Sequence, residues 1–354
     1  MKKSSLISLA ALAGASALVL AGCSTPATEG DGDGGKATAT RACVILPDTE
    51  SSDRWENGDR PALQEAITAA GFEADIQNAK GDTNQFATIA DQQLSKGCGV
   101  MLLVDYQGAG VAVTEKAKAE GIPVIAYDRP IAGADYYVSF DNVKVGELEG
   151  QSVVDGLKAA GKDPATATVV YMGGDPSDGN AKMFHDGAVS VMEAAGIKPA
   201  AEPAGVWDTE KSATNFEQVL TSLGGKVDAV WSANDANAAG IISILDKNGL
   251  TVPVSGQDAS VAGLQNVILG KQTATVYKPF QLEAKAASDL AIALLNGDKP
   301  TADKTLDDGT PYIAVTPVLV GAADVQKVID DGNASASELC TGDVAAKCAE
   351  LGIK

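Results

Sequence analysis

Short apolar runs alternate with amphipathic stretches from residue 41 onward. Ala42 to Leu46 predicts a strand, and Pro61 to Ala70 predicts a helix because Leu63 and Ile67 lie one turn apart. The unit then repeats, and a glycine follows each predicted helix, where it supplies a left-handed cap at low steric cost. Nearly continuous apolar strands separated by helices predict parallel sheets that are covered on both faces.

The repeating pattern occurs in two runs, at roughly residues 41–140 and 165–275. Each run has the size of one open doubly wound domain. A further helix, Phe280 to Leu295, and a strand, Tyr312 to Val320, are expected to return and complete the sheets. The predicted fold is therefore α/β, with two similar lobes of parallel sheet flanked by helices.

The N-terminus has the layout of a secretory signal, with Lys2 and Lys3 before an apolar run from Leu6 to Leu20. The run ends in Leu20-Ala21-Gly22-Cys23, which resembles the bacterial lipobox. We therefore expect residues 1–22 to be removed and the thiol of Cys23 to carry lipid. The alternative is a plain signal in which the cysteine is accidental.

Residues 23–40 are rich in Gly, Thr, Ala and Asp, a composition typical of a flexible linker. No later segment reaches about 18 uninterrupted apolar residues, the length expected of a membrane-spanning helix. Two or more acyl chains give durable anchoring. We therefore expect an extracytoplasmic protein that is held to the outer face of the cell membrane by lipid alone.

Composition excludes several classes of function. The 354 residues are 45% hydrophobic and 21% charged, too apolar for a disordered chain. The formal charge of −20 becomes −22 after loss of Lys2 and Lys3, which argues against a nucleic-acid partner. The one histidine, His185, makes His-based metal sites and Ser-His-Asp catalysis poor candidates, so we expect no metal, no cofactor and no catalytic residue.

Four cysteines remain after Cys23, and an exported chain permits disulfides. Three pairings are possible. Cys43 and Cys98 each open a predicted strand, and Cys340 and Cys348 are close in the polar C-terminal tail. The expected pairing is Cys43–Cys98 with Cys340–Cys348, and the alternative is four buried free thiols.

Polar residues follow the predicted strands of both runs. In an open α/β sheet, ligands bind beyond the carboxyl ends of the strands. Neither a P-loop nor a GxGxxG turn is present, so a phosphate ligand is not favoured. Sugar hydroxyls suit the lining better, because carboxylates accept their protons, Arg and Lys donate to their oxygens, and aromatic rings stack on the C–H face of the sugar.

Several of these segments resemble the sugar-binding proteins of ABC importers, in the type I periplasmic binding protein family. The segments are Asp53-Arg54-Trp55, Tyr127-Asp128-Arg129, Ser139-Phe140-Asp141-Asn142, Gly179-Asn180-Ala181-Lys182, Asn234-Asp235, Ser255-Gly256-Gln257-Asp258-Ala259 and Val276-Tyr277-Lys278-Pro279. The resemblance extends from about residue 41 to about residue 320 and is greatest to the D-xylose-binding and multiple-sugar-binding members. It implies two Rossmann-like lobes that are joined by a three-crossover hinge and close over one sugar.

The resemblance also implies site residues. It assigns hydrogen bonding to Arg54, Asp128, Arg129, Asn180, Asn234, Asp258 and Lys278. Trp207 would be a stacking platform, and Trp55 its counterpart on the opposite face. The lobes would comprise residues 41–141 with 279–313 and residues 142–278 with 314–354. The crossovers would lie near Asp141 and Asn142, near Lys278 and Pro279, and near Tyr312 to Val315.

The resemblance predicts a monomeric lipoprotein that delivers a monosaccharide to an ABC permease, with D-xylose as first choice and glucose, arabinose or galactose as alternatives. The same closed lobes would also suit a sugar-sensing receptor for a membrane signalling protein. A third hypothesis is a glycoside hydrolase with Asp128 and Asp258 as acid and base. Some of the chosen polar residues are expected to be helix caps instead, Asp235 foremost, and Trp231 is expected in the core.

Overall fold

The computed structural model describes residues 40–354. The predicted signal at 1–22, Cys23 and the linker up to residue 39 lie outside the described residues. Within the described part, no helix is both long enough and apolar enough to cross a membrane.

The strands of the described chain form a seven-stranded sheet, a three-stranded sheet and a two-stranded sheet, and single pairings connect the last two. They are β1 (Arg41–Leu46), β2 (Glu73–Asn78), β3 (Val100–Leu103), β4 (Val124–Tyr127), β5 (Tyr136–Phe140), β6 (Val169–Met172), β7 (Pro199–Ala201), β8 (Ala229–Ser232), β9 (Thr275–Tyr277), β10 (Lys304–Thr305), β11 (Pro311–Val315) and β12 (Val318–Val320).

The α-helices of the described chain cover the faces of these sheets. They are α1 (Arg60–Ala69), α2 (Thr83–Ser95), α3 (Ala109–Ala119), α4 (Asn142–Ala159), α5 (Gly179–Ala194), α6 (Thr209–Ser222), α7 (Asp235–Lys247), α8 (Val261–Ile268), α9 (Phe280–Leu295), α10 (Val325–Asp330), α11 (Ala336–Leu339) and α12 (Val344–Leu351). A π-helical turn, Trp55–Asp59, precedes α1.

The first lobe is built on a seven-stranded sheet of order β10-β11-β5-β4-β3-β1-β2. All neighbouring pairs are parallel except β10 with β11. Helices α1 and α9 bury Leu63, Ile67 and Leu290 on one face, while α2 and α3 bury Phe86 and Val113 on the other. The sheet is therefore covered on both faces, as the apolar strand pattern predicts.

The second lobe is built on the parallel strands β7, β6 and β8. The segment after α7 continues this sheet, because Val254 pairs with Val230 of β8. Farther along the same segment, Gln257 pairs with Val276 of β9, and β9 in turn pairs with β12. Helices α4 and α5 cover one face, with Leu157 and Phe184 in the core. Helices α6 and α7 cover the other.

The chain changes from one sheet to the other at three places, between β5 and α4, between β9 and α9, and between β11 and β12. All three lie together in the connection between the lobes. The polar loops that follow β4, β8 and the Val254 segment face one another across a cleft, because each lies at the carboxyl edge of its sheet.

The single strand expected over Tyr312 to Val320 is wrong. The structure has two strands there, β11 parallel to β5 in the first sheet and β12 antiparallel to β9 in the second. Thr316 and Pro317 separate them, and proline cannot donate a ladder hydrogen bond. The antiparallel strands are therefore β12, which pairs with β9, and β10, which pairs with β11 at the edge of the seven-stranded sheet.

Both expected disulfides are present in the structure, Cys43–Cys98 and Cys340–Cys348. Trp231 lies in the core of the second lobe, as expected, and its Nε1 donates to Glu149.

Candidate functional site

A closed cleft between the two lobes brings together the nine residues chosen from the sequence. It contains about 350 Å³ of empty space, part of which is open to solvent. The chosen residues that line it are Arg54, Trp55, Asp128, Arg129, Asn180, Trp207, Asn234, Asp258 and Lys278. The first lobe supplies one wall and the second lobe the other.

Arg54 is held by three carboxylates. Its Nε and Nη2 bind Asp59 at 2.7 Å each, its Nη2 also binds Glu283, and its Nη1 binds Asp128 at 3.1 Å. Four of its five N–H bonds are thereby occupied, which leaves one Nη1 hydrogen for a ligand. Burial opposes the charge of Asp128, but Arg54 and Lys278 outweigh it and hold the pKa of Asp128 below its ordinary value.

Arg129 links the two lobes at the far side of the cleft. Its Nε lies 3.2 Å from Oδ2 of Asp178, the residue that caps α5 in the second lobe. The same Oδ2 accepts from Nε1 of Trp207 at 3.1 Å. A Cβ on Gly174 would lie 2.0 Å from the Trp207 ring, so the absence of a side chain at Gly174 makes room for the indole.

Lys278 and Asp258 form the third ion pair of the cleft. The Nζ of Lys278 lies 2.8 Å from Oδ1 of Asp258, and both side chains are largely buried. Burial lowers the pKa of Lys278, but Asp258 and Asp128 outweigh it and raise that pKa above its ordinary value. Asp258 and Asp128 both have positive φ, +97° and +61°, and such backbone strain is concentrated at functional sites.

The side chains of Asn180 and Asn234 line the cleft and also make hydrogen bonds within the protein. The Nδ2 of Asn180 donates to the main-chain oxygen of Asp128 at 2.8 Å, across the cleft. The side-chain oxygen of Asn234 caps α7 by accepting from N of Asn237, which leaves its amide nitrogen for a ligand. The expectation that Asp235 is the cap is therefore wrong, because Asp235 is already the first residue of the helix.

Trp55 and Trp207 differ in their surroundings. Trp55 is only 2% exposed, and the guanidinium carbons of Arg54 and Arg129 lie 4.6 Å and 5.6 Å from its ring centre. Trp207 is half-buried and makes an edge contact with Phe184, with ring centres 6.4 Å apart. Trp207 and Phe184 therefore form the aromatic side of the cleft in the second lobe.

Sequence reasoning missed five lining residues, Ser51, Ser52, Asp178, Phe184 and Gln257. Asp178 and Gln257 follow strands next to chosen residues, so their position alone was a signal. Phe184 had none, because its place one helical turn after Asn180 is also the pattern of an ordinary core residue.

The lining therefore consists of three paired cations and carboxylates with amides, hydroxyls and aromatic rings. Among residues 40–354, no group of His, Cys, Asp and Glu side chains is arranged to hold a metal ion. Such a lining offers both donors and acceptors without a strong excess of charge. It is suited to an uncharged ligand with several hydroxyl groups.

Comparison with known proteins agrees with this geometry. Residues 43–299 match the family model described as a periplasmic binding protein domain. The chain is 36% identical to a D-xylose-binding periplasmic protein of Escherichia coli, over 81% of this chain and 89% of that protein. It is 33% identical to the multiple sugar-binding periplasmic receptor ChvE of Rhizobium radiobacter, over 82% of this chain and 89% of the receptor.

Among solved structures, an ABC transporter solute-binding protein from Clostridium phytofermentans with bound β-D-glucose has a TM-score of 0.76 and 27% identity. The match covers 84% of this chain and 99% of that one. The family and these relatives are solute-binding proteins rather than enzymes. The chain belongs to the periplasmic binding protein family, as a solute-binding protein of the ABC-transport type.

Proposed function

We propose that this protein captures a monosaccharide outside the cell membrane and delivers it to an ABC permease, with D-xylose as the first-choice ligand. The observation that carries the proposal is the cleft itself, which is lined by the ion pairs Arg54–Asp128 and Lys278–Asp258 together with the rings of Trp207 and Phe184. A relative that binds D-xylose and a similar structure that holds β-D-glucose support a pentose or hexose monosaccharide as the ligand.

The energetics are adequate for capture. Micromolar affinity corresponds to about −8 kcal/mol. Several charge-assisted hydrogen bonds of about 1.5–3 kcal/mol each, together with stacking on Trp207, would reach this value after the ordering costs of binding. The proposal also includes the lobe boundaries expected from the sequence, residues 41–141 with 279–313 and residues 142–278 with 314–354, and a ligand contact for each of the nine chosen lining residues.

The charge state of Asp128 does not suit glycoside hydrolysis. A general acid in such a reaction needs a raised pKa, so that it is protonated at neutral pH. The Arg54 and Lys278 cations instead hold Asp128 in its ionised form. This agrees with a family that binds solutes without converting them.

The test is calorimetric titration with D-xylose, D-glucose, L-arabinose and D-galactose. We expect saturable one-site binding of at least one of these sugars, and tightest binding of D-xylose. If none binds, capture of a monosaccharide is wrong. If another sugar binds most tightly, only the choice of D-xylose is wrong.

Lipid anchoring at Cys23 is a separate part of the proposal. Cells that express the wild type should retain the protein in the membrane fraction, and Cys23→Ser should move it to the soluble fraction. A Cys23→Ser protein that stays with the membrane would contradict the anchor. Delivery to a permease is tested by deleting the gene and measuring uptake of labelled sugar. We expect uptake to be lost.

A further inference from the structure

Asp235, at the start of α7, is a buried carboxylate whose close partners are hydrogen-bond donors rather than cations. It is 1% exposed. Its Oδ1 accepts from Nε2 of Gln272 at 2.7 Å and from Oγ1 of Thr275 at 2.9 Å, and its Oδ2 accepts from N of Ser260 at 2.9 Å. Such a complete set of donors stabilises the ionised form.

The backbone is packed tightly around this carboxylate. A Cβ on Gly256 would lie 2.4 Å from its Oδ1, and a Cβ on Gly263 would lie 2.0 Å from its Oδ2. Both distances are shorter than any real contact of a Cβ atom. The carboxylate of Asp235 therefore occupies the space between the segment after the Val254 pairing and the start of α8.

Asp235 fixes both ends of the segment Gln257–Ser260. Its main-chain N–H donates to the carbonyl oxygen of Gln257 at 3.0 Å, and its carboxylate holds Ser260. Between these ends, Asp258 and Ala259 have φ of +97° and +50°. Positive φ in a residue other than glycine is strained and persists only where the surroundings enforce it.

We propose that Asp235 is a positioning residue that holds Gln257 and Asp258 toward the ligand, and that proton uptake by its carboxylate weakens ligand binding. This inference rests on the proposed function, because it concerns the same cleft. Asp235 does not itself line the cleft and acts only through the segment that it holds.

The charge environment places this proton uptake in an accessible range. Burial, and then the neighbouring carboxylate of Asp258, raise the pKa of Asp235 to about 7, although its hydrogen bonds oppose the shift. The other charged groups nearby are Glu149 on α4 and Lys278, which is paired with Asp258. No residue of α8 carries a charge.

Protonation changes what the carboxyl can accept. The carboxyl proton has an acceptor in the hydroxyl oxygen of Thr275, and the N–H groups of Gln272 and Ser260 then face a neutral carboxyl instead of a carboxylate. The hydrogen bonds from Gln272 and Ser260 are then no longer charge-assisted and become weaker, so the strained segment is held less firmly. We therefore expect affinity to fall as the pH falls through about 7.

Stability should respond in the opposite direction. A carboxyl whose pKa is higher in the folded than in the unfolded protein binds its proton more tightly when folded. The contribution of Asp235 to the free energy of unfolding therefore increases as the pH falls from about 7 toward 4. A purely structural role would thus change stability with pH without a parallel loss of affinity.

The experiment is calorimetric titration at pH 8 and pH 6, with the sugar that binds the wild type most tightly. Wild-type affinity should fall about fivefold between the two values, since about a tenth of the group is ionised one pH unit below the pKa and the protonated form is expected to bind about tenfold more weakly. Asp235→Asn should bind about tenfold more weakly at pH 8 and show no further loss at pH 6. Asp246→Asn, on the exposed side of α7, should behave as the wild type.

Two results would overturn the proposal. One is wild-type affinity of Asp235→Asn at pH 8, and the other is a weakened Asp235→Asn that keeps the wild-type change between pH 8 and pH 6. If Asp235→Asn does not fold, Thr275→Val removes one donor instead. It should weaken binding at pH 8 and move the pH midpoint upward, and an unchanged midpoint would contradict the role.

A measurement without ligand separates this inference from the proposed function. At one fixed pH of 8, amide hydrogen exchange at residues 257–260 should be faster in Asp235→Asn than in the wild type. If no sugar binds but exchange increases, the proposed function is wrong and the positioning of the segment holds. If sugars bind and exchange is unchanged, the positioning role is wrong.

Discussion

Gly179→Ala should weaken ligand binding without destabilising the protein. Gly179 is the first residue of α5, and a Cβ added there would lie 2.6 Å from Cγ of Pro130 in the other lobe. Favourable carbon–carbon contacts lie at about 3.5–4.0 Å. The two lobes must therefore separate by about 1 Å at this point to admit the methyl group.

The residues on either side of Gly179 set the size of the effect. The Asn180 amide lies 2.8 Å from the Asp128 carbonyl oxygen, and Asp178 lies 3.2 Å from Nε of Arg129. A separation of about 1 Å takes both contacts beyond hydrogen-bonding distance. Their combined loss is about 3 kcal/mol, which corresponds to roughly a hundredfold weaker binding, and loss of one contact to roughly tenfold.

Calorimetry and thermal unfolding of the ligand-free protein test this prediction together. Alanine restricts the unfolded chain more than glycine and so stabilises a compatible site by about 0.4–1 kcal/mol. We expect affinity to fall while the melting temperature stays level or rises. Ser190→Ala, later in the same helix, should leave affinity unchanged. A Gly179→Ala protein with affinity within threefold of the wild type would refute the idea that this contact limits closure.

Three further predictions concern the cleft and the first lobe. Asp258→Asn should weaken sugar binding about ten- to a hundredfold in calorimetry, because a charge-assisted hydrogen bond is lost while Lys278 keeps an acceptor; unchanged affinity removes Asp258 from the site. Trp207→Ala should weaken binding about tenfold through lost stacking, and retained affinity would contradict its assigned role. Replacing Cys43 and Cys98 with alanine should lower the free energy of unfolding in urea by up to about 4 kcal/mol, because the bond closes a 55-residue loop, and an unchanged midpoint would contradict this.

The fold was largely predictable because its strands are buried on both faces. Runs such as Val124–Tyr127 have no polar alternation, and a glycine follows most helices, so both the α/β class and the two lobes could be read along the chain. The strand expected over Tyr312 to Val320 failed for a related reason. Its two halves are equally apolar, and local pattern does not report which sheet each half joins.

The cleft residues were also accessible from the sequence, because most of them follow a strand at the carboxyl edge of a sheet and the family resemblance assigned the rest, Lys278 among them. Their partners were not. Arg54 binds Glu283, which is 229 residues away, and Arg129 binds Asp178 across the cleft. These pairs depend on the closed arrangement of the lobes, which brings distant charges to within hydrogen-bonding distance.

The sequence by itself determined the α/β class and most of the buried strands, where polar side chains follow them, and which chemistry the two edges offer a ligand. It could do so because hydrophobic periodicity and turn residues act over a few positions. Only the tertiary structure decided that Asp235 is a buried acceptor rather than a helix cap, and that Gly179 lies against Pro130. Both features depend on segments that meet only after folding, and the local sequence pattern does not report such contacts.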